Sequence, residues 1–287
     1  MEAQRLNARP PATGVPRPHL EAWNVSKVYA GKRGPVEAVS SVSFSIQEGE
    51  FVSILGPSGC GKSTLMMMLA GLEAATDGVM IERGREIAGP RPEVGLVFQD
   101  ATLLPWLSVI DNVLFPVRVL KRPRAQYRKR ALTLLKMAGL ADFANHRPAQ
   151  LSGGMRQRVA ICRALVLDPP LLMMDEPFSA LDAITRDEMN VALLDIWQQH
   201  RKTGLFITHS IREAVLLSDR ILVMTRRPSS IVNDVKVPFA RPRSPAIVET
   251  PAFTALCNSL RQQIEAGYAA DPDNALRAQA NSVATTE

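Results

Sequence analysis

The sequence predicts an α/β fold whose sheet is largely parallel and covered on both faces. Three observations predict it. Short apolar runs of strand length recur between stretches of helical composition: Phe51 to Leu55, Val94 to Phe98, Leu171 to Met174, Leu205 to Thr208 and Arg220 to Met224. Unbroken apolar runs are what strands buried on both faces look like. The chain has 287 residues, 46% of them apolar and 22% charged, which suffices for one large α/β domain or two modest ones and excludes wholesale disorder. Finally, Leu107 to Leu167 is rich in Ala, Leu, Arg and Met and interrupts the alternation. A helical insertion forming a subdomain of its own is expected there.

Along the chain, residues 1 to 18 predict a disordered arm, because Pro10, Pro11, Pro16 and Pro18 cannot join a ladder and little is apolar. Strand patterning begins at Leu20. From Val42 to Ile46 it alternates, with Val42, Phe44 and Ile46 on one side and Ser41, Ser43 and Ser45 on the other. Gly49 marks a turn before Phe51 to Leu55. A Gly-rich turn then leads into a helix from Lys62 to about Leu69, with Gly71 as its stop. Beyond Pro238 no period survives, and Arg241, Pro242, Arg243 and Pro245 mix charge with helix breakers. One helix is expected near Ala252 to Ala266, and the last ten or so residues read as frayed.

Several functional classes are disfavoured. No run of 18 apolar residues occurs, so no bilayer crossing is expected, and Met1 to Pro18 lacks the apolar region of a secretory signal. Cys60, Cys162 and Cys257 are too few and too scattered for a disulfide framework or a zinc site, which points to a reducing cytosol. The net charge of +6 is mainly a matter of solubility. Arg118, Lys121, Arg122, Arg124, Arg128, Lys129 and Arg130 form a basic run without an acid. A solvated helix face explains it, and so does a surface held near anionic lipid headgroups. Nucleic acid is disfavoured, because Tyr127 is the one aromatic residue among them.

Gly56, Pro57, Ser58, Gly59, Cys60, Gly61, Lys62, Ser63 and Thr64 fit the phosphate-loop pattern G-x-x-x-x-G-K-[ST], between an apolar strand and a helix. The glycines let the backbone wrap phosphate oxygens, and the helix N-terminus faces the anion. Lys62 is placed to bridge the outer phosphates and the Ser63 hydroxyl to ligate Mg²⁺. Alone, the loop specifies a nucleotide and no particular reaction. Cys60 sits near a helix N-terminus, where a thiol pKa can fall; redox sensing and an inert small side chain are both open, the second fitting better.

Leu171 to Met174 runs into Asp175 and Glu176. A buried strand delivers both acids to its carboxyl end, where ligands gather in open α/β sheets. Asp175 then suits the metal's water shell, and Glu176 suits the base that activates water. In Leu151 to Arg158, Ser152 can cap a helix while Gly153 and Gly154 bare its first N–H groups. Met155, Val159, Cys162 and Val166 follow at helical spacing. This is a second anion-binding helix terminus without a lysine. One chain needs no second cradle for one nucleotide, but two chains set head to tail use both.

With these motifs in order, the sequence resembles the nucleotide-binding subunits of ATP-binding cassette (ABC) transporters from about Leu20 to Pro238. Gly56 to Thr64 is similar to the family's Walker A, Leu151 to Gln157 to its signature, and Leu171 to Glu176 to its Walker B. Ser179-Ala180-Leu181-Asp182 is similar to the D-loop, His209 to the switch histidine and Gln99 to the Q-loop glutamine. Tyr29 stands where the family has an adenine-stacking aromatic. The stretches from Gln99 to Trp106 and from Asp175 to Arg186, and the Arg-Pro-rich segment after Met224, are similar to importers of the nitrate, sulfonate and taurine group.

The resemblance implies a P-loop ATPase core with a mixed sheet, an antiparallel β subdomain and an inserted helical subdomain at about residues 100–167. The ABC domain is expected over 19–239, with a short extension over 240–287. It implies ATP and Mg²⁺ as ligands, with Glu176, His209 and Gln99 in catalysis. Nucleotide contacts would come from Gly56 to Thr64, Tyr29, Ser152, Gly153, Gly154 and Asp182, and metal contacts from Ser63, Gln99 and Asp175. The implied partners are a second copy of the chain, integral membrane permease subunits and, indirectly, an extracytoplasmic solute-binding protein, but no nucleic acid. The implied place is peripheral, on the cytoplasmic face of the inner membrane. Alternatives are an ABC ATPase of another import or export system, a soluble ABC ATPase of translation or DNA maintenance, and a P-loop kinase or regulator. The last has no need for Leu151 to Gln157 or His209.

Overall fold

Two long strands open the chain. β1 (Leu20–Gly31) and β2 (Gly34–Ile46) pair antiparallel, from Leu20 opposite Ile46 to Gly31 opposite Gly34. Val42 and Ile46 turn inward while Ser41 and Ser43 are exposed, as the alternation predicts. After a turn at Gly49 come β3 (Phe51–Leu55) and α1 (Lys62–Leu69). β4 (Asp77–Glu82) and β5 (Arg85–Glu86) return to the first sheet, whose order is β2-β1-β4-β5. β6 (Val94–Val97) is one residue shorter than the apolar run. The inserted helices are α2 (Val109–Val113), α3 (Phe115–Val119), α4 (Arg124–Met137) and α5 (Gly153–Leu165). β7 (Leu171–Asp175), α6 (Ala183–His200), β8 (Thr203–Thr208), α7 (Ile211–Leu217), β9 (Arg220–Met224) and β10 (Ile231–Lys236) follow. A 3-10 turn at Pro245–Glu249 leads into α8 (Pro251–Ala269). This computed structural model describes residues 18–31, 34–179, 181–200 and 202–269. The predicted arm apart from Pro18, Ala180 of the D-loop and the frayed C-terminal residues lie outside the described residues.

The second sheet has the order β10-β9-β3-β8-β7-β6. All its pairs are parallel except β10 with β9. Period-two alternation splits these apolar strands between two cores. Val52, Ile54, Leu171, Met173, Leu205, Ile207 and Leu222 pack with α1 and the inner face of the antiparallel sheet. Phe51, Leu55, Leu172, Met174, Phe206, Ile221 and Val223 pack with the helices on the other face. Each fully buried Leu or Phe contributes roughly 1.5–3 kcal/mol. The inserted helices do not enclose a separate core, since Val113, Leu134 and Val159 belong to the same cluster as Phe51 and Phe206. The helical lobe is thereby packed against the sheet that carries the loop after β3.

The helix stop is under backbone constraint. Gly71 has φ +74°, and a Cβ there would lie 2.1 Å from the Gly89 carbonyl oxygen. Gly71→Ala is expected to destabilise the fold by more than about 1 kcal/mol, because both the left-handed conformation and the backbone contact resist a side chain. Urea unfolding should show a lower midpoint with an unchanged slope; a wild-type midpoint would refute this account.

Candidate active site

Strand register gathers the site. Leu55 lies opposite Thr208, Asp175 opposite Ile207 and Val97 opposite Met174. The adjacent parallel strands β3, β8, β7 and β6 therefore end at one level. Gly56, His209, Glu176 and Gln99 leave the same carboxyl edge, the general position of ligands in open α/β sheets.

The loop after β3 is glycine-shaped. Gly61 has φ +119°, and a Cβ there would lie 2.6 Å from the Ala38 carbonyl oxygen of β2. Pro57 is half-buried, Ser58, Gly59 and Ser63 are exposed, and Thr64 is half-buried. Lys62 opens α1 and is 3% exposed. Its Nζ donates to Gly56 O at 2.9 Å and Pro57 O at 2.7 Å, and pairs with Glu176 Oε1 at 3.3 Å. The ammonium thus lies where two loop carbonyls and the Glu176 carboxylate converge. Arg227 Nε donates to Gly59 O, a brace that the loop motif does not include. Its only sequence signal is the Arg-Pro-rich stretch after Met224. Burial pushes the Cys60 thiol up, against the opposing charge of Lys62. Desolvation therefore outweighs the nearby charges and backbone N–H groups that favour the thiolate.

Asp175 ends β7 and is 9% exposed. Burial raises its carboxyl above the ordinary range; the charge of Glu176 adds to this, while a hydrogen bond from Ser63 opposes it. Its Oδ1 is buried with no hydrogen-bond partner. A hard divalent cation takes such oxygens, and Mg²⁺ characteristically uses one or two carboxylates plus phosphates rather than a protein cage. Among the described residues no cluster of three or more His, Cys, Asp or Glu could form such a cage. Ser63 and Asp175 fit Mg²⁺ on this ground.

Glu176 has φ +41°. For a residue with a side chain this is a strained conformation, of the kind concentrated at working sites. Its N–H donates to Ile207 O at 2.9 Å, which holds the turn against β8. His209 Nδ1 and Glu176 Oε2 are 2.8 Å apart. Behind His209, Thr208 Oγ1 donates to Glu213 Oε2 at 2.6 Å, and Ser210 caps α7 by accepting from Glu213 N. Burial raises the Glu213 carboxyl, with the Thr208 hydroxyl opposing.

Gln99 is exposed two residues beyond β6. Tyr29 is 39% exposed near the end of β1, with Lys27 Nζ 4.9 Å from its ring centroid. Ser152 is the exposed N-cap of α5 and accepts from Met155 N at 3.2 Å. Gly154 packs so tightly that a Cβ would lie 2.5 Å from Thr185 Cγ2, and Leu181 borders both Gly153 and Gly154. Asp182 accepts from Thr185 N at 3.0 Å, and this backbone N–H holds its carboxyl below the usual range. The signature stretch and the start of α6 therefore pack together. No hydrogen bond among the described residues joins Ser152, Gly153 or Gly154 to the Lys62 loop.

A lysine-led loop between strand and helix, facing a carboxylate pair across a parallel sheet, defines a P-loop nucleoside triphosphatase. Residues 39–179 match the family model for the ABC transporter. The chain is 45% identical over 250 residues to the taurine import ATP-binding protein TauB of Burkholderia pseudomallei, covering 85% of this chain and 96% of that one. It is 44% identical over 243 residues to the bicarbonate transport ATP-binding protein CmpD of Synechocystis sp., covering 83% and 86%. Against the nitrate import ATP-binding protein NrtD of Synechococcus elongatus it is 42% identical over 253 residues, covering 87% and 92%. Among solved structures, the ATP-binding cassette MJ0796, dimeric in a post-hydrolysis state with ADP and Pi, aligns with a TM-score of 0.68 at 35% identity, covering 77% of this chain and all of that one. The chain belongs to the ABC transporter family and is one of its ATP-binding subunits, an ATPase.

Proposed function

We propose that this chain energises uptake of a small anionic solute through a separate membrane permease, working as a two-fold pair on the cytoplasmic face of the inner membrane. The names of the relatives support import of nitrate-, taurine- or bicarbonate-type solutes. No helix among the described residues is long and apolar enough to cross a membrane. The observation that carries the paired arrangement is the exposed, capped terminus at Ser152, whose bare N–H groups make no bond to their own chain's phosphate loop. A second copy brings that terminus to the phosphates held by Lys62, and two equivalent sites result.

In this account residues 19–239 form the ATPase domain, with the helical subdomain at about 100–167 and the extension at 240–287. The P-loop amides and Lys62 bind the triphosphate. Ser63, Asp175 and Gln99 would hold Mg²⁺, which would supply charge neutralisation at the phosphates. Lys62 leaves Glu176 for the phosphates and frees that carboxylate to take a proton from water. His209 orients Glu176 and the γ-phosphate end. Tyr29 stacks on adenine, a contact worth about 1–3 kcal/mol in base-stacking sites. Asp182, packed beside the signature helix, links the two sites. Loss of the γ-phosphate removes the cross-chain contacts and the pair reopens.

The permease contact is placed at Leu103 to Val113, where the loop after Gln99 meets the helical lobe. Asn112 is buried there and bonds Leu104, Leu107 and Ser108, making this a formed surface. Single cysteines at exposed positions such as Trp106 should cross-link to the cytoplasmic loop of the permease expressed with it. Failure at every position from 103 to 113, with the complex intact, would remove this assignment.

A further inference from the structure

The segment Arg241 to Pro245 carries arginines and prolines but no apolar period, and the nucleotide chemistry above does not use it. It lies against α7, the helix that starts two residues after His209. Helices leave their last carbonyls without partners. Here Arg243 Nη1 donates to Val215 O at 3.3 Å, Leu216 O at 3.0 Å and Ser218 O at 2.7 Å. Arg241 Nη2 donates to Leu217 O. Arg243 is 4% exposed, and its Nε and Nη2 donate to Phe239 O at 3.2 and 3.0 Å. Two guanidinium groups therefore close the carboxyl end of one helix of seven residues, where positive charge also suits the helix dipole.

The same arginines reach α6 and β3. Arg243 N donates to Gln198 Oε1 of α6 at 2.8 Å, and the Arg241 guanidinium lies 3.9 Å from the Trp197 ring centroid. Arg241 Nε also pairs with Asp219 Oδ1 at 2.7 Å, and Asp219 Oδ2 accepts from Phe51 N, the first residue of β3, at 2.9 Å. One cluster thus joins the strand that leads into the phosphate loop, the helix that follows Asp182 and the helix that begins two residues after His209. At its other end α7 is held by the Ser210 cap and by the bond from Thr208 to Glu213. Ser210, Arg212, Glu213 and Leu216 border a cavity of about 570 Å³ shared with α6 and the 3-10 turn. The orientation of α7 is thus fixed at both ends, the carboxyl end by the two guanidinium groups.

We propose that Arg243, supported by Arg241, is a positioning residue for ATP hydrolysis: it sets α7, and through α7 the distance from His209 to Glu176. This rests on the role given above to His209. Lysine cannot replace the guanidinium, because three donors on one nitrogen cannot serve carbonyls on both sides of a planar fork. Burial lowers the Arg243 pKa to about 10, so the group is still cationic at neutral pH.

The test is a cycle of His209→Ala, Arg243→Lys and the double variant in the full chain, with kcat and KM for ATP measured on each. Arg243→Lys is expected to lower kcat by about 10- to 100-fold, the cost of a misplaced catalytic group, with KM for ATP within twofold of wild type. Combined with His209→Ala it should cause no further fall, because both act through one imidazole. Multiplying effects in the double variant, or a parallel loss of ATP affinity, would overturn the proposal. Wild-type kcat in Arg243→Lys would also overturn it and leave His209 untouched. Wild-type kcat in His209→Ala would instead remove the role of His209 itself. Should Arg243→Lys not fold, Arg241→Gln, which deletes the bond to Leu217 and the pair with Asp219, replaces it in the same cycle.

Discussion

Glu176→Gln is expected to abolish turnover while leaving ATP bound. A positioned base is worth about 10²–10⁴ in rate, and hydrolysis should fall by that factor. The amide can still hydrogen-bond His209, which now lies 2.8 Å from the carboxylate, so the local geometry should survive. It can no longer attract Lys62, which pairs with Glu176 at 3.3 Å. Loss of that competitor leaves the ammonium free for phosphate. The variant should therefore run as an ATP-dependent dimer on size exclusion and as a monomer without nucleotide. A protein that stayed monomeric with ATP and continued to hydrolyse it would contradict both the base and the paired site.

Lys62→Ala is expected to act at the preceding step. The Lys62 side chain, nearly inaccessible at 3% exposure, donates to two loop carbonyls and is expected to turn to the triphosphate on binding. Hydrogen bonds to charged groups are worth about 1.5–3 kcal/mol, so ATP affinity should fall by about 10- to 100-fold. Titration calorimetry would measure it, with circular dichroism confirming the fold. Glu176 would lose its cationic partner, and some loss of stability should accompany the loss of affinity. An affinity within twofold of wild type would remove Lys62 from phosphate binding. The two variants separate binding from chemistry, since one should hold ATP without cleaving it and the other should not hold it.

Much of this site was legible because its candidate residues stand at, or a short loop beyond, the carboxyl ends of apolar strands. Lys62, Asp175 with Glu176, and His209 are flagged by Phe51 to Leu55, Leu171 to Met174 and Leu205 to Thr208, and α1 has the predicted bounds. Strands with mixed faces were not legible. β4 reads Asp-Gly-Val-Met-Ile-Glu and is half exposed, and the edge strand β10 has no fully buried residue. Neither contains the unbroken apolar run of a central strand. The C-terminal clamp gives no periodic signal at all, since Arg241 and Arg243 are held by carbonyl oxygens of other segments.

Local chemistry alone determined the phosphate loop, the acid pair, the capped signature helix and the alternation of strand and helix, because each depends on neighbours within a few residues. Tertiary structure decided the rest. It set the common level of four strand ends, the meeting of Lys62, Glu176 and His209, and the burial that raises Asp175 and Cys60. It also placed two arginines of the extension against the carboxyl end of α7. These depend on register and desolvation between segments far apart in the chain, for which a linear pattern carries no distance.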